Sequence, residues 1–218
     1  MSEHPTRVGL LSDIHGNAVA LEAVLEDIDD VDTLVCAGDV VGYGPSPGQC
    51  IDLIRDREIP TVEGNHDRAV VNAHPYESGD RYASRTLSAE KVAWLENLPR
   101  ERLLFDGRLK VVHDHPEEQD RYTIPAAFDP ILLGEEAVLV LGHTHIQHAE
   151  EFDDGIVVNP GSVGQPRDRD PDAAYAVVDI DAMNVDLHRV PYDIDTVQRR
   201  IEDTSIDSYN ARRLTTGQ

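Results

Sequence analysis

The chain has 218 residues, 40% of them hydrophobic, enough for one domain with a substantial core, and its 42 acidic against 19 basic residues give a formal charge of -23. Only two of the basic residues are lysines, Lys91 and Lys110, and no basic stripe is interleaved with aromatics. This excludes a protein that coats nucleic acid, though not one that holds a small nucleotide in a cleft.

Val8 to Leu11 forms an apolar run that ends abruptly in Ser12-Asp13-Ile14-His15-Gly16-Asn17, the pattern of a buried strand delivering two polar side chains at its carboxyl end. Asn17 caps a predicted helix running to about Asp27, with Val19, Ala20, Ala23 and Val24 on its apolar face. A strand from Thr33 to Ala37 leads to Gly38-Asp39. The rigid loop Gly42-Tyr43-Gly44-Pro45 precedes a helix from about Gly48 to Glu58, and a short strand near Thr61-Val62 leads to Gly64-Asn65-His66-Asp67. This βαβαβ order predicts parallel strands.

From Arg68 to Leu98 the pattern is helical, with a start at Ser88-Ala89-Glu90-Lys91 and Pro99 beyond the end. Arg102–Phe105 and Leu109–Val112 read as a hairpin with a two-residue turn at Asp106-Gly107, so antiparallel pairing enters there. His113-Asp114-His115 follows, then a loop to Phe128, a short helix near Pro130–Leu133, and a buried strand from Ala137 to Leu141 that ends in Gly142-His143-Thr144-His145. The runs Ile156–Val158, Ala174–Val178 and Val185–Val190 suggest a second sheet. Asp195 onward forms an amphipathic helix, and a loosely ordered end is expected from about Ser205. Residues 1–218 are read as a single domain.

No run approaches the roughly 20 apolar residues of a membrane span, and the first residues carry no signal-peptide pattern, so a cytoplasmic protein is expected. Self-repulsion of the acidic surface largely vanishes when molar salt shortens the Debye length to roughly 3 Å, which makes a halophilic setting the natural expectation. Cys36 and Cys50 fall in apolar segments and read as reduced core residues. His4, His74 and His148 read as surface or local hydrogen-bonding residues.

The apolar runs therefore deliver Asp13, His15, Asp39, Asn65, His113, His143 and His145 at their carboxyl ends. Mixed imidazole and carboxylate donors suit divalent Mn, Fe, Zn or Ni. Seven are more than one tetrahedral ion needs but suit two ions sharing a bridging carboxylate, roughly 3.5 to 4 Å apart, able to clamp an in-line displacement at phosphorus and activate water as hydroxide. Two such ions against two aspartates leave a surplus of about +2, which favours an anionic phosphate.

These blocks, Asp13-Ile14-His15, Gly38-Asp39, Gly64-Asn65-His66-Asp67, His113 and Gly142-His143-Thr144-His145, resemble in kind and order the signature of the calcineurin-like metallophosphoesterases. Tyr43-Gly44-Pro45 and Asn159-Pro160-Gly161-Ser162-Val163-Gly164-Gln165-Pro166-Arg167 further resemble its small prokaryotic, YfcE-like phosphodiesterase branch. The resemblance implies a four-layer α/β/β/α sandwich with two mixed β-sheets. It implies two divalent cations per chain, manganese first among them, with Asp13, His15 and His145 on one, Asn65, His113 and His143 on the other and Asp39 bridging. His66 becomes a general acid toward the leaving oxygen or a stabiliser of phosphoryl charge.

The expected function is a dinuclear phosphodiesterase acting on a phosphoester small molecule or a nucleotide. The alternatives are a phosphomonoesterase or nucleotide phosphatase and, from another class, a non-catalytic metal-binding scaffold such as the retromer subunit that shares this fold. A homo-oligomer stays open. The eukaryotic protein phosphatases carry Asp-Arg-Gly where this chain has Gly42-Tyr43-Gly44, which leaves His66 without its usual carboxylate partner. Asp67 is its candidate replacement by proximity. Arg167 and then Arg68 are the candidate phosphate contacts, Tyr43 and Tyr122 are candidates to stack on a base or aryl group, and His115 is a candidate pocket residue.

Overall fold

The computed structural model describes residues 7–218; His4 lies outside them. Strand β1, Arg7–Leu11, sends alternate residues to opposite faces, as the pleat requires, and both faces are buried. Val8 and Leu10 point into one core and Leu11 into another. Helix α1, Ala18–Asp27, begins where expected, with the Asn17 side chain accepting from the Ala20 N–H at 3.2 Å. It is followed by β2, Thr33–Cys36, which pairs with β1 in parallel, by α2, Pro47–Asp56, and by a single parallel bridge between Cys36 and Thr61 in place of a full third strand. The helical stretch beyond is broken into α3, Asn65–Val71, α4, Ser78–Thr86, and α5, Ala89–Glu96.

The remaining strands are β3, Glu101–Leu104, β4, Leu109–Val112, β5, Val138–Val140, β6, His148–Phe152, β7, Gly155–Asn159, β8, Ala173–Asp179, and β9, Asn184–Val190. They complete two mixed sheets, β2-β1-β8-β9 and β3-β4-β5-β7-β6. The three late apolar runs thus do not make a sheet of their own. β8 and β9 extend the sheet opened by β1 and β2, antiparallel to β1, whereas β7 joins the second sheet in parallel with β5. β6, unpredicted because its sequence HAEEF is polar, supplies an edge by pairing with β7. The hairpin between β3 and β4 also differs from expectation. Leu104 pairs with Leu109, so the connection is the four residues 105–108, with Phe105, Asp106 and Gly107 all at positive φ rather than a two-residue turn.

The two sheets face each other across Val8, Leu10, Val35, Ala176 and Val178 on one side and Leu109, Val111, Val138, Val140, Ile156 and Val158 on the other. The outer face of the first sheet packs Leu11, Cys36, Tyr175 and Val177 against Leu21 and Val24 of α1 and Ile51 and Ile54 of α2. Over the second sheet the fourth layer is thin. Phe128, Leu132 and Leu133, from short 3-10 turns at Pro125–Ala127 and Pro130–Leu132, cover Val112, Leu139 and Val157. No helix among the described residues is long and apolar enough to cross a membrane.

The end of the chain is packed rather than loose. Helix α6, Ile194–Glu202, buries Val197 and Ile201, and helix α7, Ser208–Arg213, joins Ile206, Ala211 and Leu214 to the same cluster, against Val19 and Tyr82. The Asp207 N–H donates to the Ser78 hydroxyl at 2.8 Å and ties this segment to the start of α4. Leu214→Ala should therefore destabilise the protein by about 3 kcal/mol in denaturant unfolding, the usual size of a buried Leu truncation. A change within about 0.5 kcal/mol, as for a surface substitution, would contradict that packing.

Candidate metal centre

The carboxyl ends of β1, β2, β4 and β5, from both sheets, open onto one place. Beyond β1, the N–H groups of Asp13 and His15 donate to the Gly38 and Asp39 carbonyls at 3.0 and 2.9 Å, so the two turns of the first sheet that carry candidate ligands run side by side. The Gly142 N–H bonds to the His113 carbonyl at 2.8 Å and does the same for the second sheet. The sheets are joined at the site itself, where the His143 N–H donates to Asp13 Oδ2 at 3.0 Å. From the segment after β7, Val163 N and Gly164 N bond to the Ser12 and Asp13 carbonyls, and the Ser162 hydroxyl donates to the Asp13 carbonyl at 2.7 Å.

This framework holds Asp13, His15, Asp39, His143 and His145 in the left-handed backbone region, with φ between 50° and 67°. For non-glycine residues that costs on the order of 1 kcal/mol each, and such residues gather where function overrides local preference. The close approach of the turns needs glycine at position 64, where a Cβ would lie 2.0 Å from Asp39 Oδ1.

Hydrogen bonds to carbonyls fix the imidazole tautomers. Nδ1 of His15 donates to the Val41 carbonyl at 3.1 Å, Nδ1 of His145 to that of Gln165 at 2.6 Å, and Nδ1 of His113 to that of Ala37 at 2.7 Å. In a neutral ring Nε2 is then a lone pair. The two lone pairs of His15 and His145 face each other at 3.0 Å, and both face Asp13 Oδ1, at 3.6 and 3.2 Å. Acceptors converging on acceptors in a buried space repel unless a cation lies among them. Asp13 Oδ1, Asp39 Oδ2 and His143 Nε2 are buried without any hydrogen-bond partner among the described residues. Asp39 Oδ2 is 3.6 Å from His15 Nε2 and 3.3 Å from His113 Nε2, between the two groups of donors, while Asn65 Oδ1 lies 3.2 Å from His113 Nε2. All seven predicted ligands are thus brought together, and their donor set fits divalent cations.

The charges follow from the same geometry. Burial pushes His15 down to about 3, and burial likewise lowers His143 and His145, so these imidazoles are neutral. Burial would raise Asp13 and Asp39, but the surrounding histidines outweigh it, His145 foremost at Asp13 and His113 at Asp39, and both carboxyls sit well below their ordinary range. Against burial, Asp39 raises His113 to about 10, an attraction for positive charge that a cation beside Asp39 would satisfy in place of a proton, leaving His113 Nε2 a lone pair.

His66 is oriented by a residue that the sequence did not reveal. Its Nδ1 lies 2.7 Å from Asp80 Oδ1, while Asp80 Oδ2 accepts from the Tyr76 and Glu77 N–H groups at the start of α4. Asp67, expected there by proximity, instead accepts from the N–H groups of Val40, Val41 and Gly64, and burial raises it to about 6. The signal for Asp80 was weak because the two residues meet only through tertiary packing. Gly79 permits it: a Cβ there would stand 2.0 Å from the Gly42 carbonyl oxygen. Burial lowers His66, but Asp39 and Asp80 together leave it raised.

Among the candidate substrate contacts, Tyr43 lies 4.6 Å from the rings of both His15 and His66, and Arg167 stands over it at 5.4 Å. Arg68 is instead engaged by Glu63 and Asp120. Tyr122 stacks on His143 at 4.1 Å and, with His115, lines a cavity of about 430 Å³ that reaches Lys110 and Glu136.

Comparison with known proteins gives a consistent picture. The family model described as the Calcineurin-like phosphoesterase superfamily domain matches residues 6–183. An uncharacterized protein of Methanocaldococcus jannaschii is 30% identical over 96% of this chain and 98% of its own, and the phosphodiesterase YfcE of Escherichia coli is 30% identical over 80% and 88%. The crystal structure of a metallophosphoesterase from Sphaerobacter thermophilus superposes with a TM-score of 0.86 at 33% identity, covering 99% of this chain and all of that one.

If Asp80 orients His66, Asp80→Asn should lower kcat about tenfold to a hundredfold with bound metal unchanged, whereas Asp67→Asn should act mainly on stability. Measured kcat and metal content of the two variants check this. An Asp80→Asn protein with wild-type kcat would remove Asp80 from the role.

Proposed function

The chain belongs to the calcineurin-like phosphoesterase superfamily, a family of metal-dependent phosphoester hydrolases, and from that premise we propose that it is a phosphodiesterase working with two divalent cations, manganese first among them. One observation carries the reading. Asp39 Oδ2, buried and without a hydrogen-bond donor among the described residues, lies between His15 Nε2 and His113 Nε2. A single carboxylate oxygen shared by two clusters of lone pairs is the arrangement that a bridged pair of cations uses. Asp13, His15 and His145 would hold one ion, Asn65, His113 and His143 the other, and Asp39 both. When bound, the cations supply positive charge to the phosphoryl group and acidify the attacking water.

The rest of the chemistry belongs to the chain. Asp80 holds Nδ1 of His66 and favours its charged form, leaving Nε2 to deliver a proton to the leaving oxygen. Tyr43 packs against the edges of His15 and His66 and narrows the space in which that imidazole can move. Arg167 carries the guanidinium nearest this group and is the phosphate contact in this reading. The cavity beside Tyr122, at about 430 Å³, has the size of sites that take small organic ligands, which favours an ester whose leaving group is a nucleoside or comparable ring system.

With added manganese, the protein should hydrolyse bis-p-nitrophenyl phosphate faster than p-nitrophenyl phosphate, and His66→Ala should lose about a hundredfold or more of the rate while keeping its metal. Absence of turnover of both esters at low and at molar salt would sink the enzymatic reading in favour of a scaffold. A fully active His66→Ala protein would leave the histidine without its assigned part.

A further inference from the structure

The proposed roles leave a second arginine beside the site unused. Arg213, at the end of α7, stands with its Cζ 6.0 Å from the centroid of the Tyr43 ring, the same ring over which Arg167 lies at 5.4 Å. Two guanidiniums from distant parts of the chain thus border the Tyr43 ring, Arg213 lying between it and Tyr209 at 5.4 Å, and Tyr43 touches His15 and His66. The packed α6–α7 segment brings Arg213 there, since Ala211 and Leu214 on either side of it are buried.

Like charges placed together repel, and here they are partly withdrawn from water. Burial, and then Arg167 itself, lowers Arg213 from its ordinary range. The chain carries 42 acidic residues, yet none of the described ion pairs engages Arg167 or Arg213, in contrast to Arg68, Arg108 and Arg189, which each meet an aspartate. Arg167 donates from Nη2 to Gln165 Oε1 at 3.1 Å, while its Nε is buried without a partner among the described residues. Arg213 donates from Nε to a terminal carboxyl oxygen of Gln218, and no described hydrogen bond uses its terminal nitrogens. Glu77 acts on both Tyr43 and Arg213, but from beyond pairing distance. In a protein of this net charge, a juxtaposed pair of cations unpaired with any side-chain carboxylate among the described residues, with Arg213's terminal nitrogens still free, is a receptor for an anion.

We propose that Arg213 extends the phosphate contact of Arg167 into a second anion subsite across Tyr43, adjoining the metal centre, with Arg167 between the phosphoryl group being cleaved and an additional one that Arg213 takes. Substrates bearing a phosphoanhydride, such as nucleoside diphosphates and polyphosphates, are then favoured over simple esters. A simple diester carries one negative charge and has nothing to place between the two arginines, whereas a diphosphate extends a second charged group toward them. The hydrolysis itself is ordinary. Water oxygen forms the new bond to phosphorus, the bond to the bridging or ester oxygen breaks, and a proton reaches that oxygen. The inference rests on the phosphoesterase reading of the same site.

Calorimetric titration of the metal-free protein with inorganic pyrophosphate and with inorganic phosphate tests the subsite without catalysis. Pyrophosphate should bind about tenfold more tightly than phosphate, R213Q and R167Q should each remove that advantage, and R213K should retain most of it, since one charge-assisted contact is worth about that factor. With manganese, R213Q should also lower the ratio of kcat/KM for ADP to that for bis-p-nitrophenyl phosphate by about tenfold, mainly through KM. Equal pyrophosphate affinity in wild type and R213Q overturns the subsite, and turnover of the diester by the same preparations then leaves the phosphoesterase reading standing. The reverse result, pyrophosphate binding that depends on Arg213 in a protein that hydrolyses no ester, keeps the subsite and overturns that reading.

Discussion

The site depends on one electrostatic constraint: two fully buried carboxylates, Asp13 and Asp39, with one oxygen each turned toward imidazole lone pairs rather than toward donors. Burying such groups costs several kcal/mol per ion unless a counter-charge answers them. The other oxygen of each is answered by the protein. Asp13 Oδ2 accepts from Ser12 Oγ and the His143 N–H, and Asp39 Oδ1 accepts from the His66 N–H at the amino end of α3. What the protein leaves open is one oxygen per aspartate, and those two oxygens face the histidines. The carbonyls of Val41, Ala37 and Gln165 complete the arrangement, since by holding Nδ1 they commit three Nε2 atoms to the same interior space.

Strain and stability are distributed accordingly. The five candidate ligands at positive φ are held by sheet-like bonds between neighbouring turns and by the clamp from Ser162 to Gly164, all anchored in buried cores. The same rigidity reaches outward through α3, whose first residues are Asn65 and His66, to α4, whose Asp80 holds the His66 imidazole, and to α7, docked against Ser78. The elements that set the surroundings of His66 are therefore peripheral helices, while the candidate ligands come from strand ends.

That division explains what could be read from the amino-acid sequence. Asp13, Asp39, His113, His143 and His145 follow apolar runs at short fixed offsets, a local pattern that survives without knowledge of the fold. The parallel pairing of β1 and β2 was legible for the same reason. Asp80 and Arg213 were not, because each sits on a polar helix whose relation to the site exists only after packing, and Asp67 is nearer to His66 in sequence than the residue that partners it. The assignment of β8 and β9 to the first sheet was hidden too, since β-like periodicity reports burial and not the partner strand. The end of the chain looked loose because Ile206, Ala211 and Leu214 are sparse along it, yet all three fall on one side of a shared cluster.

Manganese content measured by elemental analysis after loading and exhaustive dialysis, for the wild type beside Asp39→Asn, tests the shared-carboxylate account most directly. The account predicts about two ions per wild-type chain and fewer than one in the variant, because the substitution weakens both halves of the centre at once. A wild-type protein that keeps less than one equivalent, or an Asp39→Asn protein that keeps both ions, would contradict it.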